Sequence, residues 1–199
     1  MNKFDFVFYN TAKFFVNRIM RILFKIKIVN NDVIPEKGGV LIVGNHSSWL
    51  DTLFLTCAVK RPLWFLTGEF VFNVPVLGEV VKHLCTIPVK KNKGKVGIEL
   101  TVEKLKQGEV VCVFPEGQLT SDGELQKFKK GVSVIQRESD VKIIPFYITG
   151  AFDIWGKNKK LPKLFKSATV NFGEPFIPQN SEDKEISDEI RNKVLELAK

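Results

Sequence analysis

The apolar and polar positions of this chain follow two different periods. From Phe4 to about Phe24, apolar residues recur every three or four positions and basic residues occupy other angles, which predicts an amphipathic helix. Beyond it, short β-rich runs alternate with stretches of helical period. The predicted strands are Val40–Val43, Leu63–Leu66, Thr86–Val89, Val110–Phe114 and Ile143–Ile148. The predicted helices between them are Leu50–Val59, Val76–His83, Lys95–Gln107 and Val132–Arg137.

This alternation predicts an α/β fold: a single domain with a mostly parallel central sheet flanked by helices, plus an N-terminal amphipathic membrane-associating helix. We divide the chain into an N-terminal helical segment, residues 1–28, and one domain, residues 29–199. Ala168–Phe172 is expected to add an edge strand. From Ser181 the chain is acidic first and basic later, which complements a helix dipole and predicts a final helix.

The N-terminal helix has two interpretations from its pattern. Its phenylalanines are expected either to pack on the domain core or to lie in the acyl region of a membrane surface, with the basic residues at headgroup level. No run approaches the ~18 apolar residues that a membrane span needs. Lys13, Arg18 and Arg21 interrupt any signal-peptide core, so we expect a protein that is not exported by that route.

Composition and charge restrict the classes of binding partner that we expect for this protein. The 199 residues carry a formal net charge of +8, which favours anionic partners such as a membrane surface, a phosphorylated substrate or an acidic carrier protein. Seventeen phenylalanines against two tyrosines suit a lipid-facing surface or an apolar site. The basic residues lack interleaved aromatic residues and no known nucleic-acid module is present, so we expect no nucleic-acid partner.

The cysteines and histidines argue against a metal site. Cys57, Cys85 and Cys112 are odd in number and far apart, so they predict neither a disulfide framework nor zinc binding. His46 and His83 are the chain's two histidines, and we expect no metal.

Two motifs carry candidate chemistry. His46 and Asp51 follow a core strand, five positions apart, and a histidine near neutrality can take a proton from a hydroxyl while a carboxylate orients its ring. Five residues along a helix turn through about 140°, so we expect His46 in the loop and Asp51 in the first helical turn. Ser47 is interpreted as the helix N-cap. Glu116 and Gly117 end a second buried strand, where α/β sheets place their ligands.

Together these motifs resemble the glycerolipid acyltransferase family, typified by 1-acylglycerol-3-phosphate (lysophosphatidate) acyltransferases. The resemblance covers about residues 25 to 175. It rests on four blocks in the family's order: Asn45–Asp51, Thr86–Lys91, Phe114–Thr120 and Ile144–Phe146.

The resemblance implies roles for six residues. His46 would deprotonate the free glycerol hydroxyl of a lysophospholipid, and Asp51 would orient His46 and stabilise its charge. The hydroxyl oxygen would then attack the activated acyl carbonyl in a single transfer. Glu116, Gly117, Lys91 and Lys129 would bind the acceptor.

The chain departs from the family at two positions. The family typically has arginine where this chain has Lys91, and a third block of Phe-Pro-Glu-Gly-Thr-Arg where this chain has Gln118 and Leu119. Arginine binds phosphate oxygens in pairs, whereas lysine is a point charge and leucine has no donor. The acceptor is therefore expected to be lysophosphatidate or another lysophospholipid, and a non-catalytic lipid-binding relative is the alternative.

No cofactor is expected, and three co-substrates remain open as acyl donor: acyl-ACP on acidic acyl carrier protein, acyl-CoA and acyl phosphate. Leu63–Phe65 and Phe70–Val76 are candidates for lining an apolar tunnel for the acyl chain. The expected location is the cytoplasmic face of the cell membrane, as a peripheral or monotopic protein.

Overall fold

The computed structural model describes residues 2–75, 77–90 and 94–198. Within them the chain forms seven α-helices, seven strands and two short 3-10 turns. The helices are α1 (Lys3–Leu23), α2 (Asp51–Ala58), α3 (Leu77–Lys82), α4 (Gly94–Lys106), α5 (Gly131–Ser139), α6 (Ala151–Trp155) and α7 (Asp183–Glu196). The strands are β1 (Lys25–Val29), β2 (Val40–Gly44), β3 (Leu63–Gly68), β4 (Thr86–Val89), β5 (Val110–Val113), β6 (Ile143–Thr149) and β7 (Ser167–Phe172).

The described strands make one twisted sheet in the order β1-β7-β6-β2-β5-β3-β4. Neighbouring strands pair parallel except β6 and β7, which pair antiparallel. Parallel strands need helical crossovers, and these cover both faces of the sheet. The predicted fold class, a single α/β domain with a mostly parallel sheet, is confirmed.

The two faces of the central strand β2 define two cores. Ile42 packs in a cluster with residues of α2 and α6, whereas Leu41 and Val43 pack in a second cluster with residues of α4, α5 and α7. Every residue of β2 is buried, as expected for a strand covered on both sides. The carboxyl ends of β2 and β5 are thereby fixed side by side, and both motif loops begin there.

Two features of the sheet differ from the prediction. The strand near the C-terminus, β7, is internal and lies between β1 and β6, so its prediction as an edge strand is wrong. The edge strand beside β7 is β1, whose alternation of lysine and isoleucine the sequence-based prediction did not assign to a strand. The five-residue helix α6 was also not predicted, because one turn is too short to show a period.

The N-terminal helix α1 docks on the domain through part of its surface. Tyr9 and Met20 are buried, and the Lys13 ammonium donates hydrogen bonds to the carbonyls of Val59, Lys60 and Arg61 at the end of α2. Large apolar side chains of α1 remain exposed: Phe4, Phe6, Val7, Phe14, Phe15, Ile19 and Ile22. None of the helices in the described residues is long and apolar enough to cross a membrane.

Candidate active site

The loop after β2 carries His46 and is fixed by its neighbour Asn45. The buried Asn45 amide donates to the Ile148 carbonyl at 3.0 Å and accepts from the Ile148 N–H at 2.7 Å, so it ties the loop to β6. The His46 carbonyl accepts from the N–H of Thr120 at 3.0 Å. The loop that carries His46 is therefore held between strand β6 and the loop that follows β5.

The His46 ring is held on two sides. Its Nδ1 lies 2.9 Å from Asp51 Oδ2, and its face stacks on Phe114 with ring centroids 4.1 Å apart and planes 16° apart. His46 lies in the loop and Asp51 is the first residue of α2, as predicted. The loop geometry brings together two side chains that would point in different directions along a continuous helix.

Asp51 Oδ2 accepts three hydrogen bonds. Besides the His46 ring, the backbone N–H groups of Ser47 and Ser48 donate to it at 2.7 and 2.8 Å. The carboxylate is completely buried, and this burial raises the pKa of Asp51, while the bonds from His46, Ser48 and Ser47 lower it in part. Since Oδ2 serves the two amides as an acceptor, His46 Nδ1 is assigned the proton, and Nε2 is left as an acceptor.

Ser47 does not act as the helix N-cap, so that prediction is wrong. The helix begins after Leu50, without a side-chain cap, and the buried Ser47 hydroxyl makes no hydrogen bond to any described residue. Ser48 fixes the turn instead. Its hydroxyl donates to the Trp155 carbonyl at 3.0 Å and accepts from the Leu50 N–H at 3.2 Å. The sequence could not separate the two adjacent serines, because each is a good capping residue.

Glu116 lies behind the histidine loop rather than in the open cleft. Its Oε1 accepts from the backbone N–H of His46 at 2.6 Å, and its Oε2 accepts from the N–H of Gln126 at 2.9 Å. The side chain is buried, which raises the pKa of Glu116, and the two backbone bonds lower it in part. Contact between Glu116 and the acceptor stays a prediction, and the observed partners give this carboxylate a positioning role.

Gly117 makes room for Lys129. Its φ is +73°, which a glycine adopts without strain, and a Cβ at this position would lie 2.2 Å from Lys129 Nζ. The Lys129 N–H donates to the Pro115 carbonyl at 2.9 Å, so the lysine is tied to the same turn. These two predicted acceptor-binding residues are thereby brought together.

An open cleft of about 1030 Å³ lies at this edge of the sheet and contains the His46 ring among its walls. The other lining residues are Trp49, Leu66, Gly68, Glu69, Phe70, Asn73, Val89, Lys90, Val113, Phe114, Gly117, Gln118, Leu119, Lys129 and Lys157. Apolar and aromatic side chains supply most of the wall, and three lysines supply positive charge. Such a lining suits a ligand with an acyl chain and an anionic headgroup.

Of the two lysines predicted to bind the acceptor, Lys129 lies in the cleft wall. Lys91 lies outside the described residues, so its predicted contact stays a prediction. Lys90 lies in the cleft wall but forms an ion pair with Glu69 at 2.9 Å. Lys157 was missed, because it belongs to a basic run that resembles an ordinary solvated surface. Among the described residues, no ion pair involves Lys129 or Lys157.

Only some of the residues predicted to line an acyl tunnel lie in the cleft wall. Phe70 and Asn73 line the cleft, as does Leu66. Leu63 and Trp64 are buried in the two cores instead. Both residues lie at the start of β3, and the cleft lies at the opposite, carboxyl ends of the strands. Their side chains therefore pack against the helices that cover the sheet.

Known proteins similar to this chain include several acyltransferases. The chain is 31% identical to a probable 1-acyl-sn-glycerol-3-phosphate acyltransferase of Mycoplasma pneumoniae, over 70% of this chain and 54% of that protein. It is 26% identical to the 1-acyl-sn-glycerol-3-phosphate acyltransferase of Bacillus subtilis, over 76% of this chain and 73% of that protein. Among the first relatives, including plant proteins, the chain covers 36% to 54% of their length.

The fold also has a solved counterpart. The crystal structure of the 1-acyl-sn-glycerophosphate (LPA) acyltransferase from Thermotoga maritima matches with a TM-score of 0.79 at 22% identity, covering 94% of this chain and 77% of that one. This likeness concerns the fold. The sequence model of the family described as Acyltransferase matches residues 25–149, which contain both motif loops. This chain belongs to the acyltransferase family.

Proposed function

We propose that this protein transfers a fatty acyl group from an activated donor to the free hydroxyl of 1-acylglycerol-3-phosphate and so makes phosphatidic acid for phospholipid synthesis. The observation that carries the proposal is the pairing of His46 with the buried Asp51 in the wall of a largely apolar cleft. The printed names of the Mycoplasma and Bacillus relatives support the same acceptor.

His46 acts as general base in this proposal. With Nδ1–H donated to Asp51, Nε2 takes the proton of the acceptor hydroxyl as its oxygen attacks the acyl carbonyl. The bond from the carbonyl carbon to the donor's leaving group breaks, and the imidazolium returns its proton to that group. The buried Asp51 carboxylate stabilises the imidazolium between these steps, because little solvent screens the pair.

A single transfer without an acyl-enzyme fits the nucleophiles at hand. The Ser47 hydroxyl lies in the histidine loop and the Cys112 thiol in the neighbouring strand β5, and both residues are buried. Burial also raises the pKa of Cys112 well above its ordinary value, which suppresses the thiolate. Neither side chain lines the cleft, so the acceptor oxygen itself is the attacking group.

Lys129 and Lys157 are proposed to hold the acceptor phosphate. Both line the cleft that contains His46. An unpaired ammonium offers charge to a phosphate without first breaking an internal ion pair. Lys90 is a weaker candidate because Glu69 already neutralises it. Lys129 and Lys157 would thus replace the arginine that relatives typically have where this chain has Leu119.

Leu119 itself favours one alternative acceptor class. It lies in the cleft wall and is nearly buried, so it presents an apolar surface where an arginine fork is expected. A lysophospholipid with a larger headgroup, whose phosphate is a diester with less charge, needs fewer cations. Such an acceptor is the second candidate, with the same chemistry at His46.

We also propose that the protein works as a peripheral protein on the cytoplasmic face of the cell membrane. The exposed phenylalanines and isoleucines of α1 would enter the acyl region, and Arg18 and Arg21 would meet anionic headgroups. The positive net charge also suits each of the three candidate donors, acyl carrier protein, acyl-CoA and acyl phosphate, since all are anionic.

The test is direct. Purified protein is incubated with a panel of lysolipids and with each acyl donor in turn, and products are identified by mass spectrometry. Formation of phosphatidate from lysophosphatidate is expected, with loss of product in His46→Ala and retention in His83→Ala, which alters the second histidine outside the cleft. Robust transfer by His46→Ala would refute the mechanism. Binding of vesicles without turnover of any lysolipid would favour the non-catalytic alternative.

A further inference from the structure

A second apolar and basic surface lies outside α1, in residues 157–166 between α6 and β7; we call it the 157–166 segment. Three of its large apolar side chains are exposed: Leu161 by 77%, Phe165 by 67% and Leu164 by 44%. Lysines flank these side chains at positions 160 and 166, and a third lysine lies among them at position 163. Apolar residues exposed in a contiguous group, rather than singly, mark an interaction surface.

The backbone of the segment is fixed although its apolar side chains are exposed. The Lys163 N–H donates to the Ile154 carbonyl at 3.0 Å, the Phe165 N–H to the Leu23 carbonyl at 2.7 Å, and the Lys25 N–H to the Lys166 carbonyl at 3.0 Å. Phe165 adopts a φ of 60°, a left-handed conformation that a bulky aromatic residue rarely takes. The chain thus holds an aromatic ring outward from an ordered backbone.

The segment has five lysines, of which Lys157 lines the cleft, Lys159 serves the fold, and the other three do neither. Lys159 Nζ turns inward and donates to the carbonyls of Phe152 and Asp153 at 2.7 and 2.8 Å. Lys160, Lys163 and Lys166 form no ion pair with any described residue. Their charge is therefore available to an external anionic surface.

The segment continues two features already described. Phe165 is bonded through its backbone to the last residue of α1, next to the exposed Ile22. At the other end, Lys157 lies in the wall of the cleft, and Trp49 of that wall is bonded through its N–H to the Trp155 carbonyl. The segment therefore runs from the exposed face of α1 to the mouth of the cleft.

We propose that the 157–166 segment is a second membrane-docking surface, which inserts Leu161, Leu164 and Phe165 into an anionic lipid bilayer while Lys160, Lys163 and Lys166 bind its headgroups. Alternating apolar and basic side chains match the layered chemistry of a bilayer surface. A second copy of this chain would bring the same lysines against each other, so charge favours the lipid. Docking here places the mouth of the cleft at the lipid surface, where an acceptor lysolipid resides.

The apolar half is tested with the full-length chain and vesicles of phosphatidylcholine with or without phosphatidylglycerol. The variant Leu161→Ser/Leu164→Ser/Phe165→Gly changes exposed side chains, and glycine accepts the φ of position 165, so folding is preserved. We expect its partition coefficient on anionic vesicles to fall about tenfold or more. The control Ile177→Ser/Leu195→Ser changes two exposed apolar side chains elsewhere on the surface, 45% and 44% exposed, and should bind as the wild type does.

The basic half is tested with Lys160→Gln/Lys163→Gln/Lys166→Gln. This variant should lose most of the preference for phosphatidylglycerol vesicles, whereas Lys106→Gln/Lys142→Gln/Lys184→Gln, with the same change of net charge from exposed positions, should lose much less. Equal losses in the two triple variants would overturn the proposal. So would unchanged partitioning of the apolar variant, or a loss confined to RNA binding or self-association.

Membrane docking by the 157–166 segment rests on the proposed function only for its role, which is to bring the cleft to its lipid substrate. Vesicle binding and acyl transfer are measured separately, so either one can be refuted without the other. Activity is measured on lysophosphatidate presented in vesicles and in detergent micelles. We expect the segment variants to lose activity on vesicles and keep it in micelles. Intact vesicle binding in the segment variants with normal phosphatidate formation overturns docking alone. Absence of phosphatidate formation by the wild type, with segment-dependent vesicle binding, overturns the proposed function alone.

Discussion

The backbone N–H of His46 donates a 2.6 Å hydrogen bond to the carboxylate of Glu116, seventy residues further along the chain. The second carboxylate oxygen accepts from the N–H of Gln126. Glu116 thus joins the histidine loop to the loop that carries Gly117 and Lys129. An anionic side chain next to a phosphate site would repel the ligand, and burial with two amide donors removes that conflict.

Replacing Glu116 by Ala should damage both folding and turnover. Two half-buried N–H groups would lose their acceptor, so we expect the free energy of unfolding in urea to fall by about 2–4 kcal/mol. We expect kcat to fall because the His46 loop loses its support, with KM for lysophosphatidate nearly unchanged. Glu124→Ala, an exposed residue of the same loop, is the control. A raised KM with unchanged stability would instead show that Glu116 contacts the acceptor.

Replacing Asp51 by Asn should remove most of the activity while leaving the cleft in place. The neutral amide cannot stabilise the imidazolium as a carboxylate does. Its oxygen can take the place of Oδ2 and accept the same three hydrogen bonds, and its N–H groups then lie at the Oδ1 position, which has no partner among the described residues. We expect kcat to fall about 10²–10⁴-fold, the range of a general base that loses its function. Circular dichroism and vesicle binding check the fold. Asp153→Asn, an exposed change on α6, should retain wild-type kcat.

Lys129 and Lys157 should control the affinity for the acceptor rather than the chemical step. We expect Lys129→Gln and Lys157→Gln each to raise KM for lysophosphatidate about ten- to 150-fold, the cost of one charge-assisted hydrogen bond to phosphate, with little change in kcat. Lys130→Gln, whose side chain does not line the cleft, is the matched control. An equal effect on monoacylglycerol, which has no phosphate, would contradict a phosphate-binding role.

Introducing the arginine that relatives typically have should sharpen the same preference. Leu119→Arg places a guanidinium in the cleft wall near Gln118 and Gly117. If lysophosphatidate is the acceptor, we expect its KM to fall in this variant, because a planar fork binds two phosphate oxygens. If a larger headgroup is the natural acceptor, the variant should lose activity on it. Lysolipid panels with both proteins compare the two outcomes.

The sequence predicts the strands and the pairing of His46 with Asp51 because each depends on local pattern. The β2 and β5 runs are apolar over their whole length, and the spacing of His46 and Asp51 already excludes a shared helical face. The strand β1 was missed because its half-exposed residues follow directly on a long helix.

The remaining site residues depend on contacts that local pattern does not encode. Lys157 reaches the cleft only because the segment before β7 returns to the carboxyl end of β2. The partners of Glu116 come from two loops that are distant in sequence. Local sequence does not show which distant residues a lysine in a basic run or a carboxylate at a turn will contact. Those contacts become visible only in the folded structure.

The exposed face of α1 should supply part of the membrane affinity. Phe15→Ser/Ile22→Ser removes two side chains that are 57% and 71% exposed, so the fold should be unaffected. We expect partitioning onto phosphatidylglycerol-containing vesicles to fall at least about tenfold, since each buried apolar side chain contributes about 1.5–3 kcal/mol. Flotation assays measure it. Partitioning equal to that of the wild type would place the membrane contact elsewhere on the molecule.

Lys13 couples α1 to the helix that begins with Asp51, and its titration reports that coupling. Its ammonium lies against the carbonyls of Val59, Lys60 and Arg61, and burial lowers the pKa of Lys13 from 10.5 to about 8. Between these two pH values the unfolded chain binds the proton and the folded chain does not. The contribution of Lys13 to stability is therefore complete above pH 10.5 and is lost as the pH falls through 8.

We expect the unfolding free energy of the wild type minus that of Lys13→Met to increase as the pH rises from 8 to 10.5. Urea unfolding at several pH values measures it, and comparison of two variants at each pH cancels the other titrating groups. Lys3→Met, at an exposed position of α1, should give a flat difference over the same range. Parallel pH profiles for the wild type and Lys13→Met would show that Lys13 keeps its charge in the folded state, with the carbonyls compensating fully for its burial.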